Sequence, residues 1–154
     1  VVSGNKRLAS DYIEGLNILS SMRMCANVPC QSAIQTALGG YQSIDDLVKE
    51  NGRLRIQRDV TTDMLNGIDG ISCVKPKGAM YCFAKVDEKK FNIQNDEKMV
   101  LDLLSSEKIL LVHGRAFNLT EGTYFRLVFL PHSDVLVPAL HRIGNFFRTY
   151  KQGA

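Results

Sequence analysis

The sequence predicts an α+β fold, α/β in the loose sense, in which a small β-sheet packs against helices and is preceded by a helical arm. Three observations predict it. Apolar residues recur at three- and four-residue steps in several stretches, the period of helices with one apolar face. The runs ISCVK, AMYCFAKV and TYFRLVFLP are rich in the β-branched and aromatic residues that suit a pleated strand. The helical stretches open and close the chain while most strand-like runs lie between them, so helices cover the sheet on one side. With 154 residues, 45% of them hydrophobic, the chain can bury one real core and still carry an appendage.

The first helix runs from Lys6 to about Met24, because Leu8, Tyr12, Leu16, Leu19 and Met22 share one stripe to be buried; Gly15 weakens it slightly. CANVPC then turns around Asn27 and Pro29. A short helix, Gln31 to Leu38, carries Ala33, Ile34, Ala37 and Leu38, and Gly39-Gly40 end it, since glycine takes the left-handed conformation of a C-cap. Ser43 with Asp46 three positions on resembles a capping box and opens the longest helix, roughly 44 to 66. Leu47, Leu54 and Met64 form its inward stripe. Lys49, Glu50, Arg53 and Asp59 face solvent, and Arg55 and Arg58 read as a solvated face with ion pairs to Asp59 or Asp63.

ISCVK and AMYCFAKV are two strands joined through Pro76-Lys77-Gly78, the signal of a hairpin or tight connection. A polar segment follows. Asn95-Asp96 start a helix whose apolar face is Met99, Val100, Leu103 and Leu104. ILLV, residues 109 to 112, is a short buried strand ending at His113-Gly114, and the last strand, 123 to 129, stops before Pro131, which cannot donate to a ladder. Ser133 and Asp134 start the final helix, which buries Leu136, Leu140, Ile143 and Phe147. Pro138 predicts a late start or a kink, because proline removes one hydrogen bond and crowds the carbonyl four residues earlier.

Charge and motif content exclude several classes of function. The formal net charge is +3 with no block of like charge, so neither nucleic acid nor an anionic membrane is indicated as a partner. No apolar run approaches a bilayer span and VVSGNKR has no signal-peptide layout, which predicts a soluble intracellular protein. A first residue of Val rather than Met hints at a longer parent chain. Cys25, Cys30, Cys73 and Cys82 include no C-x-x-C pair and the three histidines are far apart, so no metal site is predicted and all four thiols read as reduced. His113 reads as a strand-end polar residue, His132 as a surface turn residue, and His141 lies on a helix beside Arg142. No P-loop, nucleophile elbow, zinc-protease or dinucleotide motif is present.

One residue resists this bland reading. Alternation places Tyr124, Arg126 and Val128 on one face of the last strand and the core residues Phe125, Leu127 and Phe129 on the other. A guanidinium among apolar neighbours has a large desolvation cost unless an anion meets it, and its planar fork suits a carboxylate or phosphate. That anion is a structural Asp or Glu, or a ligand; spacing alone leaves both open. KGAMY and HGRAFN are turns of small residues able to bring backbone close to such a ligand.

Five segments in a fixed order then form a pattern: SMRMCANVPCQSAIQTALGG, the helix with RLRIQRD, PKGAMYCFAKVD, KILLVHGRAFN and YFRLVFLPHSDVLVPALHRIGNFF. Together they resemble the C-terminal part of class I, fold-type I, pyridoxal-phosphate aminotransferases, nearest to the alanine-aminotransferase-like branch. The resemblance covers nearly the whole chain. It implies that residues 1–40 are the tail of a cofactor-binding large domain and 41–154 the C-terminal small domain. It assigns to Arg126, in the F-R-L-x-F pattern, a bidentate bond to the substrate α-carboxylate, which opposes the structural ion pair. Arg23 is placed near a second substrate contact, with a helix-end charge as the other reading.

The same resemblance marks what this chain lacks. The family's Schiff-base lysine lies in an S-K-x-x-x-x-x-G-x-R-x-G type motif, whose arginine holds the cofactor phosphate; no lysine here has that context. No catalytic and no cofactor-binding residue is therefore assigned within the chain, which is expected to be silent alone. For the intact enzyme the resemblance implies pyridoxal 5'-phosphate as cofactor, alanine or glutamate with pyruvate or 2-oxoglutarate as substrates, a homodimer and a cytoplasmic location. Residues 1–40 would then expose an apolar patch. The competing readings are a noncatalytic α+β module that binds a small carboxylate and a purely structural domain.

Overall fold

The computed structural model of the chain describes residues 6–153. They belong to two compact units, bounded Val1–Ser43 and Ile44–Ala154. No helix among the described residues is long and apolar enough to cross a membrane.

In the first unit, α1 (Lys6–Arg23) breaks helical geometry at Ala9, and α2 (Val28–Gly39) starts earlier than its apolar pattern predicts. Asn27 is the N-cap of α2 and accepts the Cys30 N–H, while Pro29 sits in the first turn, where its missing N–H is harmless. The expected turn at Asn27 and Pro29 is therefore a helix start. Leu8, Tyr12, Leu19 and Met22 of α1 are exposed, as are Ile34 and Leu38 of α2. This corrects the buried face expected for α1 and agrees with the exposed patch implied by the resemblance. Periodicity marks the face that a partner can cover; it does not supply the partner.

Apart from Ser43 at the boundary, the second unit contains α3 (Ser43–Val48), α4 (Arg53–Asn66), β1 (Ile71–Cys73), β2 (Tyr81–Val86), α5 (Glu88–Phe91), α6 (Asp96–Glu107), β3 (Val112–His113), a 3-10 turn (Gly114–Phe117), β4 (Thr123–Val128) and α7 (Ser133–Thr149). The single long helix predicted over 44–66 is thus two. Gly52 separates them: it is buried against the end of α3, where a Cβ would lie 2.4 Å from the Leu47 carbonyl oxygen, and it is the N-cap of α4.

All four strands pair antiparallel in the order β1-β2-β4-β3. The predicted hairpin is present. β3 is shorter than ILLV suggests, because residues 109–111 run outside the ladder even though Leu111 is buried. The polar segment after β2 holds α5, capped by Asp87, whose side chain accepts the Lys89 and Lys90 N–H groups.

α4, α6 and α7 supply the core that backs the sheet. Leu65, Met99, Leu103, Leu140, Ile143 and Phe147 join Cys82, Ala84, Phe125 and Leu127 in one buried cluster. The buried side of α4 departs from the expected Leu47, Leu54 and Met64 and consists of Gln57, Thr61, Thr62 and Leu65. Gln57 is tolerated there because its amide donates to the carbonyls of Leu130 and Pro131 at the strand exit. Arg58 pairs with Asp59 at 2.7 Å, as the solvated-face reading expects, and Lys75 joins Asp59 at 3.3 Å. α7 neither starts late nor is split at Pro138, which lies on its exposed side together with Asp134, the residue whose carbonyl loses its partner.

Candidate functional site

The face of the sheet opposite the core carries the site. In register, Arg126 of β4 lies beside Phe83 of β2 and Val112 of β3, while Tyr81 pairs with Val128. The last strand alternates as expected: Phe125 and Leu127 are buried, and Phe129 just beyond it is 2% exposed. Arg126 is half-buried on the other side.

Two aromatic rings flank its guanidinium. The Arg126 Cζ lies 4.6 Å from the ring centre of Tyr81 and 4.4 Å from that of Phe117. Phe83 meets Phe117 edge to face at 5.3 Å, which fixes the second ring from below. Each cation–π contact contributes on the order of 0.5–2 kcal/mol, and together they hold the guanidinium while leaving its edge for an acceptor. The Arg126 Nε is buried and has no hydrogen-bond partner among the described residues.

The ion pairs of the described residues lie elsewhere. Asp96 faces His113 and Arg115, Asp59 faces Arg58 and Lys75, and Glu107 faces Arg142. Among the described residues no carboxylate stands within ion-pair distance of Arg126, so the internal Asp or Glu allowed by the sequence is absent. KGAMY and HGRAFN both reach the site, through Tyr81 and Phe117 respectively. Alternation along AMYCFAKV already places Tyr81 on one strand face with Phe83; Phe117 sits in a 3-10 turn that has no periodic signal.

Beneath the turn, Asp96 is 3% exposed at the start of α6 and accepts the Arg115 N–H at 3.0 Å. His113 is 24% exposed by side chain, with its Nδ1 3.7 Å from Asp96. It faces the helix-backed side, since Phe125 and not Arg126 is its register partner. His132 pairs with Asp134 at the surface and His141 is exposed. Arg23 is the exposed last residue of α1, in the first unit. All four cysteines are free, and no cluster of metal-binding side chains exists among the described residues.

Among the described residues, a cofactor that needs a buried Schiff-base lysine does not find one. Every lysine whose side chain is described is exposed except Lys90, which is half-buried and bonded to Asp69. The described residues therefore do not fit pyridoxal 5'-phosphate by themselves.

Known proteins resolve the family. The model of the class I and II aminotransferases matches residues 2–143. The glutamate-pyruvate aminotransferase AlaA of Haemophilus influenzae is 55% identical over 152 residues, which is 99% of this chain but 38% of the relative. An alanine aminotransferase of Mycobacterium tuberculosis is 52% identical over 98% of this chain and 35% of its own length. The crystal structure of an aminotransferase from Escherichia coli superposes with a TM-score of 0.83 at 52% identity, over 99% of this chain and 38% of that one. The chain thus spans well under half the length of the curated relatives it matches. Its five ordered segments, its sheet with helices behind it and these matches agree: the chain belongs to the class I and II aminotransferase family.

Proposed function

We propose that this chain is the C-terminal part of a pyridoxal-phosphate-dependent transaminase that moves an amino group between an amino acid, alanine or glutamate, and a 2-oxo acid, pyruvate or 2-oxoglutarate. Residues 1–40 belong to its large domain and 41–154 form its small domain. The intact protein is a cytoplasmic homodimer. The names of the relatives support the substrate pair, and the observation that carries the reading is Arg126, a ring-clamped guanidinium with no acid of the described residues opposite it.

In this reading Arg126 binds the substrate α-carboxylate through two parallel N–H···O bonds, and Tyr81 and Phe117 fix the plane in which they form. The cofactor, when bound, carries the amino group between donor and acceptor; its lysine and phosphate site lie outside the residues described here. This chain contributes orientation. Seating the carboxylate restricts where the α-carbon can sit, so less ordering remains before reaction. Arg23, at the end of α1, keeps two readings: a contact with the second carboxylate of a substrate such as glutamate, supplied from across the dimer, or a helix-end charge.

The test is a titration of pyridoxal phosphate into this chain and into the longest chain its gene encodes, followed by L-alanine. The long form is expected to develop a visible cofactor band that L-alanine shifts, and the 154-residue chain to develop none. A long form that never takes up the cofactor ends the transaminase reading.

A further inference from the structure

We propose that Asp96 is a positioning residue for the Arg126 carboxylate site, acting through the 3-10 turn that carries Phe117. The inference rests on the reading of Arg126 as a carboxylate site and adds what keeps that site in shape.

A carboxylate that is 3% exposed is costly to bury and needs compensation. Asp96 is not needed as a helix cap, because Asn95 already accepts the Lys98 N–H as the N-cap of α6. The positive end of that helix stabilises its charge. Its one strong hydrogen bond goes across to the turn: Oδ2 accepts the Arg115 N–H at 3.0 Å. His113 Nδ1 lies 3.7 Å from Oδ2 and Arg115 Nε 3.7 Å from Oδ1, both beyond hydrogen-bond reach, so residues on both sides of Gly114 face one carboxylate whose Oδ1 has no hydrogen-bond partner among the described residues.

The turn has little room to settle otherwise. A Cβ at Gly114 would stand 3.0 Å from the Tyr124 Cβ, so its backbone already lies tight against β4. At its far end Asn118 adopts φ 58° and returns its N–H to the Arg115 carbonyl at 3.0 Å. Between these fixed points stands Phe117, whose ring meets Arg126 at 4.4 Å. The path runs from Asp96 to the Arg115 amide, along the turn to Phe117, and across to the guanidinium. Asp96 touches no substrate; it sets the ring that sets the arginine.

The experiment uses the longest chain the gene encodes, labelled with 15N-arginine, with propionate as the carboxylate probe. The Arg126 Nε–H signal, assigned by its loss in Arg126→Lys, is followed during titration of wild type, Asp96→Asn, Asp96→Ala and Phe117→Leu. Asp96→Ala is expected to weaken propionate binding by up to about fivefold, the loss set by Phe117→Leu, and Asp96→Asn, which keeps an acceptor for the Arg115 N–H, about twofold. In a Phe117→Leu background Asp96→Asn is expected to add no further loss, because both act on one contact. Asp96→Asn carries the test if Asp96→Ala does not fold. A wild-type shift that both Asp96 variants reproduce at equal affinity overturns the inference and leaves the Arg126 reading intact. Losses that add fully in the Phe117→Leu background also overturn it, since Asp96 would then act through general stability. A wild-type signal that ignores propionate overturns the Arg126 reading and Asp96 with it.

Discussion

The guanidinium of Arg126 is held between Phe117 and Tyr81, with its carbon 4.4 Å from one ring centre and 4.6 Å from the other. The clamp predicts unequal effects of two substitutions. Phe117→Leu removes one π face and is expected to weaken carboxylate binding about fivefold, within the range of a partly desolvated cation–π contact. Tyr81→Phe keeps its ring and is expected to change affinity less than twofold, roughly the neutral limit for a retained π face. A carboxylate titration of both variants checks this; equal losses would mean that the tyrosine hydroxyl, not its face, matters.

The tail of α7 gives a pH prediction. Tyr150 Oη donates to Asp102 Oδ2 at 2.7 Å. Burial first, and then this bond, push the Tyr150 hydroxyl from 10.0 up to about 12. Burial pushes the Asp102 carboxyl up, but the Tyr150 hydroxyl and Lys98 outweigh it and hold the group below 3.8. A raised Tyr150 contributes stability fully below pH 10.0, which is lost as the pH rises through about 12. A lowered Asp102 contributes above pH 3.8, and that part is lost on further acidification. Tyr150→Phe is expected to lose about 1 kcal/mol at neutral pH. Thermal melts across the pH range should show the gap to wild type closing at both extremes.

Gly52→Ala tests the break between α3 and α4. Its new methyl would lie within 2.4 Å of the Leu47 carbonyl oxygen and 2.7 Å of the Asp46 one, both backbone atoms that side-chain motion cannot clear. Urea unfolding is expected to show a loss of about 1–3 kcal/mol. A neutral result would mean that the two helices merge without strain.

The thiols predict a two-step labelling curve. Cys25 and Cys30 are exposed, whereas Cys73 and Cys82 are buried. Hydrogen bonding to Cys73, and then burial, push the Cys82 thiol far above its ordinary value; the same bond lowers Cys73, which is kept from a reagent by burial at 6% exposure. A thiol reagent is expected to consume Cys25 and Cys30 in the folded protein and the other pair only on unfolding; mass spectrometry of the labelled peptides identifies each site.

Much of this architecture was legible in local patterns. Met99, Val100 and Leu103 on α6, or Leu136, Leu140, Ile143 and Phe147 on α7, bury as their spacing demands. The break at Gly52 was hidden because Leu47 and Leu54 continue one apolar phase across it. Gln57 and Thr61 carry no apolar side chain that would mark them as inward, yet Gln57 is 1% exposed and its acceptors are carbonyls more than seventy residues away that no local window contains. The site divides the same way. Arg126 was visible as a charge in an apolar strand, and Tyr81 follows from alternation. Phe117 and Asp96 reach it only through tertiary structure, one in an aperiodic turn and the other as a buried first-turn carboxylate that sequence reading assigns to helix capping.

If Arg126 receives the substrate carboxylate, its substitution must show in kcat/KM for L-alanine, measured on the longest chain the gene encodes. Arg126→Ala is expected to lower it on the order of 10- to 100-fold, the size of a lost charge-assisted bidentate contact, and Arg126→Lys to restore only part of it. If Arg126→Ala folds normally and keeps the wild-type kcat/KM, the substrate carboxylate binds elsewhere and Arg126 is not its anchor.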